Sequence, residues 1–471
     1  MNFKLVIDGR LVEGASSLDV IDPASGKRFA TCARADGVQL EQAIAAAKRS
    51  FPVWAALSHA QRKEYLDRLC EMVELRKEEF AVLLTREQGK PLAQARAEIG
   101  SAIARLRYFA ALDMPVTVLR ENDDEKIIEH RTPLGVVAAI TPWNFPFSLL
   151  INKLGPALSA GNTMVAKPAP TTPLTTLLLG AIAAEVLPRG VFNVIVDANE
   201  LGAKLTSHPD IAKIGFTGST STGKLVMQSA AGSLKRVTLE LGGNDAAIIL
   251  DDADIKSVAK SVFAAAMLNA GQVCLAAKRV YVPRGMYHAF CEELAQLANN
   301  AVVGDGSEHG TEIGPLQNQQ QFEKVLALIE TTKKDGRILA GGKALDRPGF
   351  FIAPTIVCDL SDGAELVREE QFGPVIPVLA YDTVDEAIAR ANDTVYGLGG
   401  TIWTTNYARG AEVAMRLDTG TVWVNKHLDL PSDIPFGGAK QSGIGRENGI
   451  DALKEVTQGK IVNISKTAVS H

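Results

Sequence analysis

The sequence predicts an α/β protein with two parallel-sheet lobes, and three observations lead there. From Gly135 onward, short apolar runs alternate with segments of helical spacing, the pattern of βαβ units. The alternation occurs as two series that meet near Glu240. The 471 residues, 46% hydrophobic and 22% charged, suit large buried cores and exclude disordered or collagen-like chains.

The first 115 residues read as mainly helical. A short strand pair is expected around Phe3–Ile7, and Asp22-Pro-Ala-Ser-Gly26 makes a turn. Apolar residues three and four apart predict helices at Ala43–Phe51, Ala60–Leu84 and Ala93–Leu112. The charged run Arg120–Lys126, followed by Ile127–Arg131, breaks that spacing; an exposed hairpin arm and a solvated loop both fit. Buried strands are predicted at Val136–Ile140, Thr163–Ala166, Val191–Val196, Lys213–Phe216 and Val237–Leu239. Between them fall helices at Leu149–Leu158, Leu174–Val186, Glu200–Leu205 and Gly223–Ala231. The second series places strands at Ala246–Leu250, Arg279–Val282, Val375–Ala380 and Thr421–Val424. Its helices are Ile255–Leu268, Met286–Ala301 and Gln321–Lys333.

Forty-nine basic against 54 acidic residues give a net charge of −5, which excludes a basic nucleic-acid footprint over the whole chain. The five cysteines, at 32, 70, 274, 291 and 358, form no C-x-x-C pair, and the seven histidines are dispersed, so no metal site is expected. The N-terminal MNFKLVIDGR lacks the apolar core of a secretory signal. Thr176–Leu187, the longest mostly apolar stretch, carries Glu185 and is too short for a bilayer. A cytoplasmic protein without membrane or nucleic-acid partners is expected.

Several segments carry chemistry. Phe216-Thr-Gly-Ser-Thr-Ser-Thr-Gly-Lys224 follows a strand and opens a helix, where backbone N–H groups receive phosphate and Gly218 and Gly223 permit close approach. An ordinary N-capped turn explains it equally well. Asn269-Ala-Gly-Gln-Val-Cys274 ends a helix, and its flexible Ala-Gly approach leaves room for a nucleophilic thiol. A buried, inert cysteine is the competing explanation, and the one adopted for the other four. Val237-Thr-Leu-Glu-Leu-Gly-Gly-Asn244 sets one carboxylate, Glu240, at a strand end; desolvation would make it a base, a salt bridge would make it structural. Thr141-Pro-Trp-Asn-Phe-Pro146 is a proline-bracketed turn able to hold the Asn144 amide in one direction, toward an oxyanion. Lys167 closes the next strand, reaching a ribose or facing water.

The ordered set PWNFP, KP, FTGS-T-TG, LELGG, GQVC, EEQFGPV and PFGG-KQSG-G resembles the aldehyde dehydrogenase superfamily over essentially the whole chain, including the 34-residue step from Glu240 to Cys274. The resemblance implies two Rossmann-like lobes plus a small β bridging element that joins subunits. Its units would be a cofactor-binding domain at 1–115 and 139–240, a catalytic domain at 241–440, and an oligomerisation element at 116–138 and 455–471. It implies Cys274 as nucleophile, Asn144 and the Cys274 N–H as oxyanion hole, and Glu240 as the base for hydrolysis. Lys167 would meet the adenosine ribose, Gly218 and Ser219 the pyrophosphate, and Glu370 the nicotinamide ribose with Phe372 beside it. Trp143 would lie against the cofactor cleft, and Phe436, Asn152 and Leu268 along the substrate tunnel. NAD is the expected cofactor, with NADP left open because Pro170 stands where many NAD-preferring relatives carry glutamate. A homodimer or homotetramer is expected.

Relatives specific for succinate semialdehyde place arginines where this chain has Asn152 and Leu268. The expected substrate is therefore an uncharged, fairly apolar aldehyde, with a semialdehyde as the alternative. Glu240 favours release of a free acid over transfer to coenzyme A. Two other classes fit the same residues: a cofactor-independent cysteine hydrolase, and a protein that keeps the fold without turnover.

Overall fold

The computed structural model describes residues 3–113 and 116–467. It opens with a strand pair, β1 (Leu5–Ile7) and β2 (Arg10–Val12), and a separate hairpin, β3 (Ser16–Asp22) and β4 (Lys27–Arg34). The predicted turn at 22–26 joins that hairpin. Four helices follow: α1 (Gly37–Ala56), α2 (His59–Leu75), α3 (Lys77–Gln88) and α4 (Leu92–Ala111). Reciprocal capping boxes, Asp36 with Gln39 and Ser58 with Gln61, start α1 and α2. The single helix expected over 60–84 is two, because Arg76 leaves the helical region (φ −110°, ψ 16°). The apolar spacing runs through this break, from Leu66, Leu69 and Val73 to Phe80 and Leu84, so periodicity alone does not reveal it.

A hairpin, β5 (Thr117–Glu121) and β6 (Glu125–Pro133), separates the helices from the first alternating series. That series runs β7 (Val136–Ile140), α5 (Pro146–Ser159), β8 (Thr163–Lys167), α6 (Leu174–Val186), β9 (Phe192–Val194), α7 (Gly202–Ser207), β10 (Ile211–Thr217), α8 (Thr220–Ala231) and β11 (Arg236–Glu240). The strand order is β11-β10-β7-β8-β9, all parallel, extended by antiparallel β1 and β2. Its course reverses between β7 and β10, and ligands bind α/β sheets at such a switch point. Trp143 and Asn144 follow β7, and Gly218 and Ser219 follow β10, so both motifs border that crevice.

The second series runs β12 (Ala246–Ile249), α9 (Ile255–Met267), β13 (Arg279–Pro283), α10 (Tyr287–Asn300), α11 (Gln319–Asp335), β14 (Arg337–Ala340), β15 (Thr355–Cys358), α12 (Glu365–Arg368), β16 (Val375–Tyr381), α13 (Val384–Asn392), β17 (Gly399–Trp403), α14 (Tyr407–Ala414) and β18 (Thr421–Val424). Its sheet has the order β14-β15-β16-β13-β12-β17-β18 and is parallel except for β14. Strand β17, absent from the sequence expectation, pairs with β12 on one side and with the edge strand β18 on the other. Its start, Leu398-Gly-Gly, has the composition of a turn. A side chain at Gly399 would meet Asp245 Oδ2 at 2.5 Å, so glycine there serves packing.

The chain then returns to its first half. β19 (Gly443–Ile444) pairs antiparallel with β11, and α15 (Gly449–Glu455) packs on α5. β20 (Thr457–Ser465) completes a three-stranded sheet of order β20-β6-β5. The hairpin alternative for 120–131 is thus the one the structure adopts. The stretch 441–454, which the sequence reading leaves outside every unit, closes the edge of the first sheet. Each large sheet has its own apolar core, and a small separate cluster lies where they meet: Val273, Leu275, Leu398, Trp423 and Phe436, with Cys274 packed against it. Among the described residues no helix is long and apolar enough to cross a membrane.

Candidate active site

The site sits where the carboxyl end of β11 runs through Leu241-Gly-Gly243 into the start of β12. Cys274 is reached through a turn in which Asn269, Ala270 and Gly271 all have positive φ (52°, 55° and 73°). Two of these are not glycine, so the turn is strained and must be held by its surroundings. Asn269 Nδ2 donates to Asn144 O at 3.0 Å, and Gln272 Nε2 donates to Asn269 O at 2.9 Å. Gln272 Oε1 accepts the Gln317 N–H at 2.9 Å, and Gln94 Oε1 accepts the Asn269 N–H at 3.1 Å. The approach to Cys274 is therefore clamped, not flexible as its Ala-Gly composition suggests.

Asn144 belongs to the same clamp. Its Nδ2 donates to Gln272 O at 2.9 Å, and the buried Lys90, paired with Glu98, donates to its backbone oxygen at 2.9 Å. One N–H of the Asn144 amide remains beyond that bond, whose acceptor, Gln272, lies two residues before Cys274. The Cys274 thiol is partly exposed, and burial by its neighbours pushes it up to about 12, opposed chiefly by the charge of Lys278.

Glu240 is buried, and neither carboxylate oxygen has a hydrogen-bond partner. Burial first, then the nearby Glu447 charge, hold its carboxyl well above the ordinary range, against Lys153 and Arg446. Among the described residues Glu240 forms no salt bridge that would make it structural. Glu447 itself accepts from Lys153 Nζ at 2.7 Å and from Asn152 Nδ2 at 2.9 Å, and Lys153 also donates to Thr217 Oγ1 at 2.6 Å. Asn152 Oδ1 accepts from Arg105 Nη1 at 2.8 Å. The structure thus places Asn152, expected along the substrate tunnel, inside a buried polar network. Phe436 and Glu447 form an isolated antiparallel bridge, which ties the apolar cluster to this network. Leu268 caps α9 and joins the cluster that holds Cys274, beside Phe145, Leu428 and Leu430.

On the other side of Cys274, Lys278 Nζ donates to Cys274 O at 2.7 Å, Gly243 O at 2.9 Å and Glu370 Oε1 at 2.7 Å. Phe372, itself at positive φ, meets Trp143 edge-on with ring centres 5.4 Å apart. Gln321 Nε2 donates to Phe372 O at 3.0 Å, and Asn244 Nδ2 donates to Val367 O at 2.9 Å. Asn244, unexplained by sequence, therefore anchors the turn that carries Glu370. Farther along the crevice Ser219 caps the twelve-residue α8, accepting the Thr222 N–H at 3.2 Å. A side chain at Gly218 would meet the Phe216 ring at 2.6 Å, so the backbone there stays bare. Lys167 does not face water: it is buried and paired with Asp197 at 2.6 Å. A cleft of about 650 Å³ opens between the start of α8 and the α12–α13 region, lined in part by Thr220, Ser221, Arg368 and Tyr396.

The model of the aldehyde dehydrogenase family matches residues 11–462. The chain belongs to that family. Among solved structures, an NAD⁺ complex of aldehyde dehydrogenase from Bacillus cereus is 38% identical, with a TM-score of 0.97, covering 99% of this chain and 97% of that one. A betaine aldehyde dehydrogenase from Staphylococcus aureus in complex with NAD⁺ is 32% identical, with a TM-score of 0.96, covering 99% and 96%. The two sheets of this aldehyde dehydrogenase are accordingly the family's two Rossmann-like lobes.

In this aldehyde dehydrogenase the fold gathers Cys274, Phe436 and Leu268 around one apolar cluster, ties Asn144 to the cysteine turn through Gln272, sets Glu240 within charge range of the thiol, and brings Glu370, Phe372 and Trp143 together on the opposite side. Gly218, Ser219 and Lys167 line up along the first sheet's carboxyl edge. Sequence reasoning misses Glu447, Lys153, Lys278, Asn269 and Gln272. Only proximity to motifs signals them: Lys153 lies on the helix after PWNFP, and Glu447 just beyond KQSG-G. His427, far from Cys274 in sequence, is close in space: its Nε2–H donates to Leu275 O at 2.5 Å. Burial holds that ring neutral, its pKa down to about 4.

Proposed function

We propose that this protein oxidises an uncharged, fairly apolar aldehyde to the carboxylic acid with NAD, through covalent capture on Cys274. The observation that carries this reading is a partly exposed thiol with a clamped amide held against its turn and a buried carboxyl without partners within charge range. The Cys274 thiolate attacks the carbonyl carbon, and the new C–S bond leaves an alkoxide. That oxyanion is met by the free N–H of the Asn144 amide and by the Cys274 backbone N–H. When bound, nicotinamide supplies the hydride acceptor that brings the captured carbon to the acyl level. Glu240, once deprotonated, takes a proton from water, whose oxygen attacks the thioester carbonyl; the Cys274 sulfur leaves and the acid is released. The residues present fit the dinucleotide: a bare backbone at Gly218, a capped helix start at Ser219, and a carboxylate, Glu370, whose Oε1 is held by Lys278 and the Gly243 N–H while Oε2 keeps its acceptor sites.

Asp197 favours NAD over NADP. Lys167 is already neutralised by that carboxylate, so a 2′-phosphate at this level would meet a compensated cation and a buried acid. The hydrolase alternative needs a base aimed at the thiol, and His427 is instead turned to a carbonyl. One observation favours a carboxylate-bearing substrate as the second reading. Arg105 is buried beside Leu430 with its Nε unpartnered and no carboxylate within ion-pair distance among the described residues. The exposed apolar residues of the β20-β6-β5 sheet, Val118 and Ile461 among them, support a homodimer or a tetramer of dimers. Five free cysteines, one of them this nucleophile, fit a reducing, cytoplasmic setting.

The test is formation of reduced nicotinamide from a panel spanning hexanal, benzaldehyde, betaine aldehyde and succinate semialdehyde, with each cofactor. Apolar aldehydes should give the highest kcat/KM. A ranking led by succinate semialdehyde transfers the reading to Arg105. Thiol-dependent ester cleavage with no reduced nicotinamide from any aldehyde would overturn it.

A further inference from the structure

Lys90 lies in the short link between α3 and α4, and its side chain is fully buried. A buried ammonium needs an anion, and among the described residues only Glu98, on α4, is paired with it, at 2.5 Å. The other carboxylate oxygen of Glu98 accepts the Ser148 N–H at 3.1 Å, in the first turn of α5. Lys90 Nζ also donates to Asn144 O at 2.9 Å and stands 3.7 Å from the centre of the Phe145 ring. One ion pair therefore holds the turn between β7 and α5 at three points: the Asn144 carbonyl, the Phe145 ring and the Ser148 N–H.

The link that carries Lys90 is itself fixed. Gly89 has φ +98°, and a Cβ there would meet Pro23 and Pro315 at 2.8 and 2.9 Å. The Lys90 N–H donates to Gln88 Oε1 at 3.0 Å, and the Leu92 N–H donates to Gly306 O at 2.8 Å. Gly306 packs so closely on the link that a Cβ would lie 2.4 Å from the Lys90 carbonyl oxygen. A side chain anchored at such a point can set the direction of another.

Among the described residues three hydrogen bonds hold Asn144. Two join it to the cysteine turn, from its Nδ2 to Gln272 O and from Asn269 Nδ2 to its carbonyl; the third comes from Lys90. Two contacts on one turn leave the amide free to rock with that turn or about the line between them. The Lys90 bond reaches Asn144 from the first lobe and is charge-assisted, roughly twice as strong as a neutral one. We propose that Lys90 is a positioning residue for the oxyanion hole: paired with Glu98, it fixes the Asn144 carbonyl and so aims the free amide N–H at the oxyanion formed on Cys274. The inference rests on the reading of Asn144 as an oxyanion donor, and Lys90 acts only through that residue.

The experiment is a double-mutant cycle between positions 90 and 144 in the full chain. It reads the single-turnover rate of reduced-nicotinamide formation, with saturating NAD⁺, enzyme in excess, and the aldehyde of the panel above that gives the highest kcat/KM. Lys90→Met should slow this rate by up to about 10²-fold, the loss that a misplacement of about 1 Å can bring. Beside Asn144→Ala the same change should bring no further loss, because the group that Lys90 aims is gone. Glu98→Gln keeps the side chain's shape but leaves the ammonium without a charged partner. It should show a smaller loss in wild type and again none beside Asn144→Ala, and it carries the test if urea unfolding shows that Lys90→Met does not fold. Iodoacetamide alkylation of Cys274 builds no oxyanion, and its rate should match wild type in both variants. Losses that multiply across the cycle, or an alkylation rate that falls with turnover, overturn the proposal, since Lys90 would then act on the fold or on the thiol. An Asn144→Ala protein as fast as wild type overturns the oxyanion reading itself, a failure distinct from either of those.

Discussion

Two carboxyls, Glu240 and Glu447, are buried within charge range of each other, and only Glu447 has donors on its oxygens. The unsolvated Glu240 keeps its proton past the ordinary range, so its basic form is gained only as pH rises. Hydrolysis-limited turnover should accordingly climb across a limb above the usual carboxylate pKa. Glu447→Gln removes the charge that pushes Glu240 up, and the limb should move to lower pH in a kcat profile; a limb moved upward would contradict the arrangement. Glu240→Gln should let acyl-enzyme accumulate, seen as a full burst of reduced nicotinamide followed by stalled turnover. Asn144→Ala should slow the burst itself by roughly 10²–10³-fold, the usual loss for one oxyanion donor, and an unchanged burst rate would remove Asn144 from that role. Asp197→Asn should lower the NAD-over-NADP ratio of kcat/KM by about tenfold, which is about 1.4 kcal/mol; an unmoved ratio would put discrimination elsewhere. Cys274, Glu240 and Asn144 are legible in the sequence because each is a chemical residue inside a run of small or apolar ones. Glu447 and Lys278 are not, since a lone charge reads as surface until its partner, 294 residues away for Lys153 and Glu447, is placed beside it.

At the level of elements, the cysteine turn shows what composition hides. Asn-Ala-Gly reads as loose, yet the left-handed turn is held by bonds from Asn269 to Asn144 and Gln94 and, through the following Gln272, to Gln317. Gly271 has no latitude: a Cβ there would be driven into the Gly373 carbonyl, on the turn that carries Phe372. Gly271→Ala should therefore lower kcat/KM and also cost about 1–3 kcal/mol of stability, from φ strain plus the clash; denaturant unfolding beside steady-state kinetics checks both, and a wild-type midpoint would show that the turn yields freely. The parallel strands were legible where burial made apolar runs beside recognisable helices, as in β7, β8 and β10, but the buried four-residue β15 was not. β17 was not, because Gly399 and Gly400 meet requirements of close packing rather than of strand propensity. The α2–α3 break was hidden for the opposite reason, a spacing that continues across it.

Over the whole molecule, the division into two sheet lobes could be read from the two alternating series, but the way they are joined could not. Val118, Ile128 and Val462 form an apolar row across the three-stranded sheet, and such a row favours pairing with a second sheet. Light scattering should find a dimer or tetramer, and Val118→Lys with Val462→Lys should reduce it to a monomer; a wild-type monomer would leave the row without a partner. The return of the chain to its first half has a consequence for how the protein is made. β11 lacks its outer neighbour, and Lys153 its acid, until residues 443–456 have been synthesised. The first lobe therefore waits on the ribosome with an open edge while the second is translated in full. A nascent chain arrested near residue 440 would hold Cys274 and Glu240 and every strand of the two large sheets except the short β19, yet its proton-handling network would still be incomplete.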